Sequence, residues 1–158
     1  TAHGVATRLG CSRAEAQALV DGYFGAYPRM KDAVARLIAQ VRDDPRHEAR
    51  TLFGRARAPE IVSKNGARRA FSERAAVNTV IQGTAADIVK IAMIRVDARL
   101  RRDFPGSRLL LQVHDELVIE APAKDAAAVL AMTCAEMKGV HELRAPLLAV
   151  GSTGSPFE

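Results

Sequence analysis

Apolar residues recur along the chain with two different rhythms, and each predicts its own kind of element. After Ser12, the residues Ala16, Leu19, Val20, Tyr23, Phe24 and Tyr27 keep the three- and four-residue spacing of an amphipathic helix. Ser12 with Glu15 three positions later is the signature of a capping box at its start. Pro28 interrupts the stripe and suits the first position of a second helix, where the missing N–H has no intrahelical partner to lose. Met30, Val34, Leu37, Ile38 and Val41 form that helix's apolar face, and Asp43, Asp44 and Pro45 stop it. The stretch from Ala49 to Pro59 is short, contains Gly54 and reads as a basic hairpin.

A third helical stretch is expected from near Ala67 to about Ile81, then a joint at Gly83-Thr84, then a strongly apolar helix from Ala85 to about Arg102. In that last helix Ile88, Val89, Ile91, Ala92 and Val96 cover more than one face, which predicts a position under a sheet. Pro105-Gly106 marks a turn. Leu109 to Val113 and Leu117 to Ile119, separated by a short break, read as a β-hairpin. Ala123 to Lys138 is expected to be a helix, Leu147 to Val150 a last strand, and Gly151 to Ser155 a loose tail. No internal repeat is present.

The chain has 158 residues, 48% hydrophobic and 26% charged, enough apolar material to bury a core and too much for an extended disordered chain. Trp is absent and aromatics make up 4%, so Ala, Leu, Val and Ile must build that core. No uninterrupted apolar run approaches 18 residues and no charged-then-apolar leader opens the chain, so neither a membrane span nor a signal peptide is expected. Cys11 and Cys134 lie far apart and form no metal-type pair; they read as buried thiols in a reducing compartment. The first residue is Thr1 rather than Met, which suits a piece of something longer.

Charge is unevenly spread. Residues 29–74 carry a net +6, residues 75–111 a net +3 and residues 112–142 a net −4, within a total of +5. A basic middle followed by an acidic block suits a protein that grips a polyanion and presents carboxylates elsewhere. Solvated helix faces give the same tally, so charge alone does not decide.

Two groups of residues carry candidate chemistry. His114-Asp115-Glu116 places two acids and an imidazole between apolar strands, where burial of charge is costly unless something compensates. A divalent cation can do so, because hard carboxylate oxygens suit Mg²⁺; an ordinary solvated turn is the other reading. Neighbouring side chains on a strand point to opposite faces, so Asp115 ranks first as a ligand and Glu116 second. Arg74, Asn78 and Gln82 fall at i, i+4 and i+8. On one continuous helix they form a polar row about 12 Å long. Their donors match the minor-groove acceptors that every base pair presents. A solvated helix face is again the alternative.

Longer motifs narrow the choice. Gln112-Val113-His114-Asp115-Glu116-Leu117-Val118, preceded by Gln82-Gly83-Thr84-Ala85-Ala86-Asp87, resembles the C-terminal part of a bacterial family A DNA polymerase, of the DNA polymerase I type. Thr51-Leu52-Phe53-Gly54-Arg55 and Ser72-Glu73-Arg74-Ala75-Ala76-Val77-Asn78 also match, in the family's order, so that the resemblance covers roughly residues 1–151.

The resemblance implies an α+β fold, in which a palm-type antiparallel sheet with a motif hairpin packs on helices. Residues 1–45 are then the helical rear of the fingers and residues 46–158 an incomplete palm. It implies that Asp115 is the palm aspartate that binds the catalytic Mg²⁺ ions, two in the complete enzyme, with Glu116 the acid beside it. It further implies that His114 approaches the primer terminus, and that Arg74, Asn78 and Gln82 contact the primer-template minor groove. The implied partners are primer-template DNA and deoxynucleoside triphosphates, with no membrane, in a cytoplasmic, nucleoid-associated enzyme that is monomeric when complete. Two rival readings remain: a non-catalytic nucleic-acid-binding module on the same fold, and an unrelated metal-dependent hydrolase using His114, Asp115 and Glu116, which needs further ligands that His3, His47 and His141 do not offer at ligand spacing.

The sequence departs from the family pattern in several places. The second catalytic aspartate, and the Arg, Lys and Tyr of the nucleotide-binding helix, lie upstream of residue 1, so the chain by itself is expected not to polymerise. The family commonly has a proline just before Gln-Gly-Thr, where Thr79 and Val80 stand here, and a Trp near its end, where Phe157 stands.

Overall fold

The computed structural model describes residues 2–154. The element order is α1 (Ala2–Leu9), α2 (Arg13–Ala26), α3 (Pro28–Asp43), β1 (Ala49–Arg50), β2 (Ala56–Arg57), α4 (Gly66–Asp103), β3 (Arg108–Val113), β4 (Glu116–Glu120) and α5 (Ala126–Lys138). Both β pairs, β1 with β2 and β3 with β4, are antiparallel. The chain forms two compact units. One gathers the described residues up to Arg50 together with Ala56–Val80, and the other Thr51–Arg55 with the residues from Ile81 onward.

In the first unit the local signals act as expected. The Ser12 hydroxyl accepts from the Glu15 amide at 3.2 Å, and the Glu15 carboxylate accepts from the Ser12 amide at 2.9 Å. These bonds hold the Glu15 carboxyl below its ordinary pKa. Pro28 opens α3, and Asp44 closes it with its amide on the Gln40 carbonyl. The expected basic hairpin is present as β1 and β2. Val41, Ala49, Ile61 and Ala76 are buried together, with Leu37, Ile38 and Val80 packed against them. Helix α1 had no counterpart in the periodicity; its terminator is Gly10, at φ +65°, where a left-handed residue closes a helix and Gly alone is free of a Cβ penalty.

Helix α4 corrects one expectation. It runs unbroken for 38 residues, about 57 Å at the helical rise, with no joint at Gly83-Thr84. A glycine inside a helix costs about 1 kcal/mol relative to alanine, too little to break a ladder supported on both sides. With Thr79 and Val80 rather than a proline before Gln82, no i→i−4 hydrogen bond is lost there either. One 18-residue window of α4 averages a hydropathy of 1.2, enough by length and composition to cross a membrane, although no uninterrupted apolar run of that length exists. Of its apolar residues, Ala76 packs in one unit and Val96 and Leu100 in the other, while Phe71, Ile81 and Ile94 are exposed.

In the second unit Val96, Leu100, Val129 and Met132 form a core, on which Phe104, Leu109, Leu117, Ile119 and Ala121 pack. The C-terminal part of α4 therefore does lie under the β3–β4 hairpin. The hairpin pairs Leu109 with Ile119, then Leu111 with Val118, leaving Leu110 as the extra residue of a bulge. The bulge resets the alternation, so Leu109 shares a face with Gln112, Leu117 and Ile119, while Leu111 and Val113 stand on the other face and are exposed. Helix α5 begins at Ala126, later than expected, because residues 122–125 close a turn from the Pro122 carbonyl to the Asp125 amide at 2.8 Å.

The expected last strand is absent. Leu147 to Val150 adopt no strand, and Leu148 and Val150 are 84% and 96% exposed. An apolar tetrapeptide becomes a strand only beside a partner edge, and none of the described residues pairs with it. Cys11 and Cys134 are free and half-buried rather than fully buried. Among the described residues of the tail, Gly151 to Gly154 form no regular element; Ser155 and Phe157 lie outside the described residues.

Candidate functional site

The turn of the second hairpin is built by pairing rather than by turn-prone residues. Val113 pairs with Glu116, so His114 and Asp115 are the whole loop. His114 sits at φ +55°, the left-handed region that tight hairpin turns demand and that His tolerates better than most non-glycine residues. The Gln112 side chain reaches over the turn and donates from Nε2 to the His114 carbonyl at 2.6 Å. His114, Asp115 and Glu116 are all exposed. Asp115 projects from the loop, and Glu116 begins β4 on the face of Leu111, Val113 and Val118, away from the core. The hairpin thus rests one face on α4 and α5 and offers two carboxylates and an imidazole at its apex.

The donors at this apex suit a hard divalent cation but do not complete a site. No group of three or more His, Cys, Asp or Glu side chains able to hold a metal ion exists among the described residues. Among the described residues, His3, His47 and His141 form no such group with the apex.

Arg74, Asn78 and Gln82 all leave the unbroken α4 and are all exposed, Arg74 and Asn78 in the first unit and Gln82 in the second. Ala76, on the opposite side of the helix, is buried. The Arg74 guanidinium carbon lies 6.0 Å from the Phe71 ring centroid, a cation–π contact that restrains an otherwise free side chain.

A third feature went unremarked in the sequence. Asp87 lies inside the apolar stripe of α4 and is only 5% exposed. Its Oδ1 receives Arg55 Nη2 at 2.5 Å. The Thr51 hydroxyl, foremost, and the Arg55 cation lower its pKa against the opposing pull of burial. Beside it, Thr84 Oγ1 accepts from the Leu52 amide at 3.0 Å. The loop that supplies these partners is itself closed by Gly54 at φ +85°, whose amide donates to the Thr51 carbonyl, and by the Arg55 amide on Thr51 Oγ1. An acid within a hydrophobic helix pattern was the available signal, and a distant arginine its required partner.

Comparison with known proteins matches these features to one family. The sequence pattern of DNA polymerase family A fits residues 1–158. The chain is 43% identical over 157 residues to DNA polymerase I of Deinococcus radiodurans, covering 98% of this chain and 16% of that protein. It is 39% identical over 155 residues to DNA polymerase I of Streptococcus pneumoniae, covering 98% of this chain and 17% of that protein. The structure is similar to the polymerase domain of Pol1 from M. smegmatis, solved in complex with DNA primer-template and dNTP, with a TM-score of 0.85 and 37% identity over 93% of this chain and 26% of that one. The chain spans about one sixth of the length of the curated relatives it matches. A pattern match over every residue, relatives above one-third identity and a shared mixture of helices with small antiparallel sheets agree: this chain belongs to DNA polymerase family A.

Proposed function

We propose that this chain is the part of a template-directed DNA polymerase that carries one metal-binding aspartate and the reader of the primer end. Residues 1–45 then form the rear of the fingers and residues 46–158 part of the palm. The observation that carries the reading is the β3–β4 apex, where Asp115 in the two-residue turn and Glu116 at the start of β4 stand exposed on strands anchored on a hydrophobic core. The polymerase domain of M. smegmatis Pol1 is in complex with DNA primer-template and dNTP, and the likeness supports the same partners here.

In this reading Asp115 supplies one carboxylate to the catalytic divalent ions, with Glu116 in support and a second aspartate contributed from outside this chain. Held by these carboxylates, Mg²⁺ would supply the positive charge that favours attack of the primer 3′ hydroxyl on the α-phosphorus and that offsets charge on the leaving pyrophosphate. Gln112 and the anchored strands hold Asp115 in place. His114 faces the primer terminus. Arg74, Asn78 and Gln82 donate to minor-groove acceptors, which keep their positions only in a well-formed base pair, so these residues test shape without reading sequence. The basic stretch from Arg29 to Arg74 offsets phosphate charge and makes binding salt-sensitive. One aspartate of two, and no nucleotide-binding helix, leave the isolated chain unable to extend a primer.

The test is Asp115→Ala in the complete polymerase. Primer extension is lost while primer-template affinity stays nearly unchanged. Near-normal turnover overturns the metal role and leaves the nucleic-acid-binding module as the better account. Extension by the purified 158-residue chain overturns the division of the active site.

A further inference from the structure

Two stretches within the motifs that carry the family resemblance were given no individual contact above. Thr51-Leu52-Phe53-Gly54-Arg55 and Thr84-Ala85-Ala86-Asp87 lie some thirty residues apart in sequence and meet in the second unit. Arg55 pairs with Asp87 at 2.5 Å, and the Leu52 amide donates to Thr84 Oγ1 at 3.0 Å. We propose that these residues form a clamp that positions Gln82, so that Arg55, Asp87 and Thr84 are positioning residues for the reading of the primer end. The inference rests on the assignment of Gln82 to that role.

Val80 is the last α4 residue packed in one hydrophobic cluster, and Val96 is the first in the other. From Ile81 to Ala86 no α4 residue is fully buried, and Asp87 is the first that is. This segment also contains Gly83, which loosens a helix most where packing is thin. The clamp supplies the missing restraint with polar bonds. Thr84 and Asp87, three apart, share a helix face, and Gln82 points away from it. A loop pinned on one face therefore fixes the rotation of the helix that aims Gln82 from the other, without touching the DNA-reading surface. The buried carboxylate makes the clamp exacting: without the Arg55 cation, Asp87 keeps its burial and loses its ion-pair partner, and the loop is held only by the Thr51 hydroxyl and the Leu52–Thr84 bond.

The experiment is a double-mutant cycle in the complete polymerase, read as the ratio of extension rates on matched and mismatched primer ends. Arg55 is more than half exposed, so Arg55→Ala removes little packing, and a thermal melt confirms folding. Thr84→Val, which keeps the shape and loses the acceptor, is the second variant. Gln82→Ala is expected to lower discrimination by about two- to tenfold, the range of one net hydrogen bond. Arg55→Ala and Thr84→Val each lower it in the same direction, and neither lowers it further when Gln82→Ala is already present. Additive losses, or no loss from either variant while Gln82→Ala has its effect, overturn the clamp. No loss from Gln82→Ala itself overturns the assignment of Gln82, and the clamp's role with it.

Discussion

Leu100→Ala tests the claim that the β3–β4 apex is placed by the core beneath it. Leu100 is 1% exposed and belongs to the cluster of Val96, Val129 and Met132, on which Leu109, Leu117 and Ile119 of the hairpin pack. The substitution removes roughly three carbon groups at about 0.8 kcal/mol each. The cavity left behind adds to this, because a helix that also packs α5 cannot collapse into it, and the total comes to about 3 kcal/mol. For a unit of this size that lowers Tm by about 12 °C or more. Circular dichroism gives the melting shift, and amide hydrogen exchange gives its location, since protection should fall in β3 and β4 and stay unchanged in α2. Leu110→Ala is the control: Leu110 is the extra residue of the bulge and is exposed, so its truncation should cost under about 1 kcal/mol. Equal losses for the two variants, or a loss below about 1 kcal/mol for Leu100→Ala, refute the claim that this core supports the hairpin.

Ser12→Ala removes half of the capping box and should destabilise α2 by about 1 kcal/mol, measurable as faster exchange of its first-turn amides. Asp103 accepts from Arg102 and Arg99, which hold its pKa down to about 2 from the usual 3.8. A depressed folded-state pKa means that its contribution is present above about pH 4 and is lost as pH falls toward 2. Acid unfolding of Asp103→Asn should therefore show a shallower loss of stability across that window, and an unchanged slope would exclude this carboxylate as a source. Substituting Gly10 by Ala should cost about 1 kcal/mol, because φ +65° is strained for any residue with a Cβ; an unchanged melt would show that the helix end relaxes.

Much of the fold could be read from neighbours in sequence. The capping box at Ser12 and Glu15, the start of α3 at Pro28, its end at Asp44, and the two hairpins depend on residues within a few positions of one another, where backbone chemistry acts alone. Asp115, Glu116, Arg74, Asn78 and Gln82 were visible as anomalies of pattern and spacing, and the resemblance gave them roles. The structure places them, all exposed, on a hairpin apex and on one unbroken helix.

Tertiary contacts decided the rest, each time because the deciding partner lies far along the chain. Gly83-Thr84 looked like a joint, yet the helix continues, with Thr84 receiving Leu52 and Asp87 receiving Arg55 from a loop some thirty residues earlier. Leu147 to Val150 had strand composition and found no edge to pair with. The bulge at Leu110 chose which of the consecutive leucines face the core, a choice that alternation cannot make when every position is apolar. Local sequence sets what each segment prefers; which preference survives depends on the hydrogen-bond and packing partners that folding delivers.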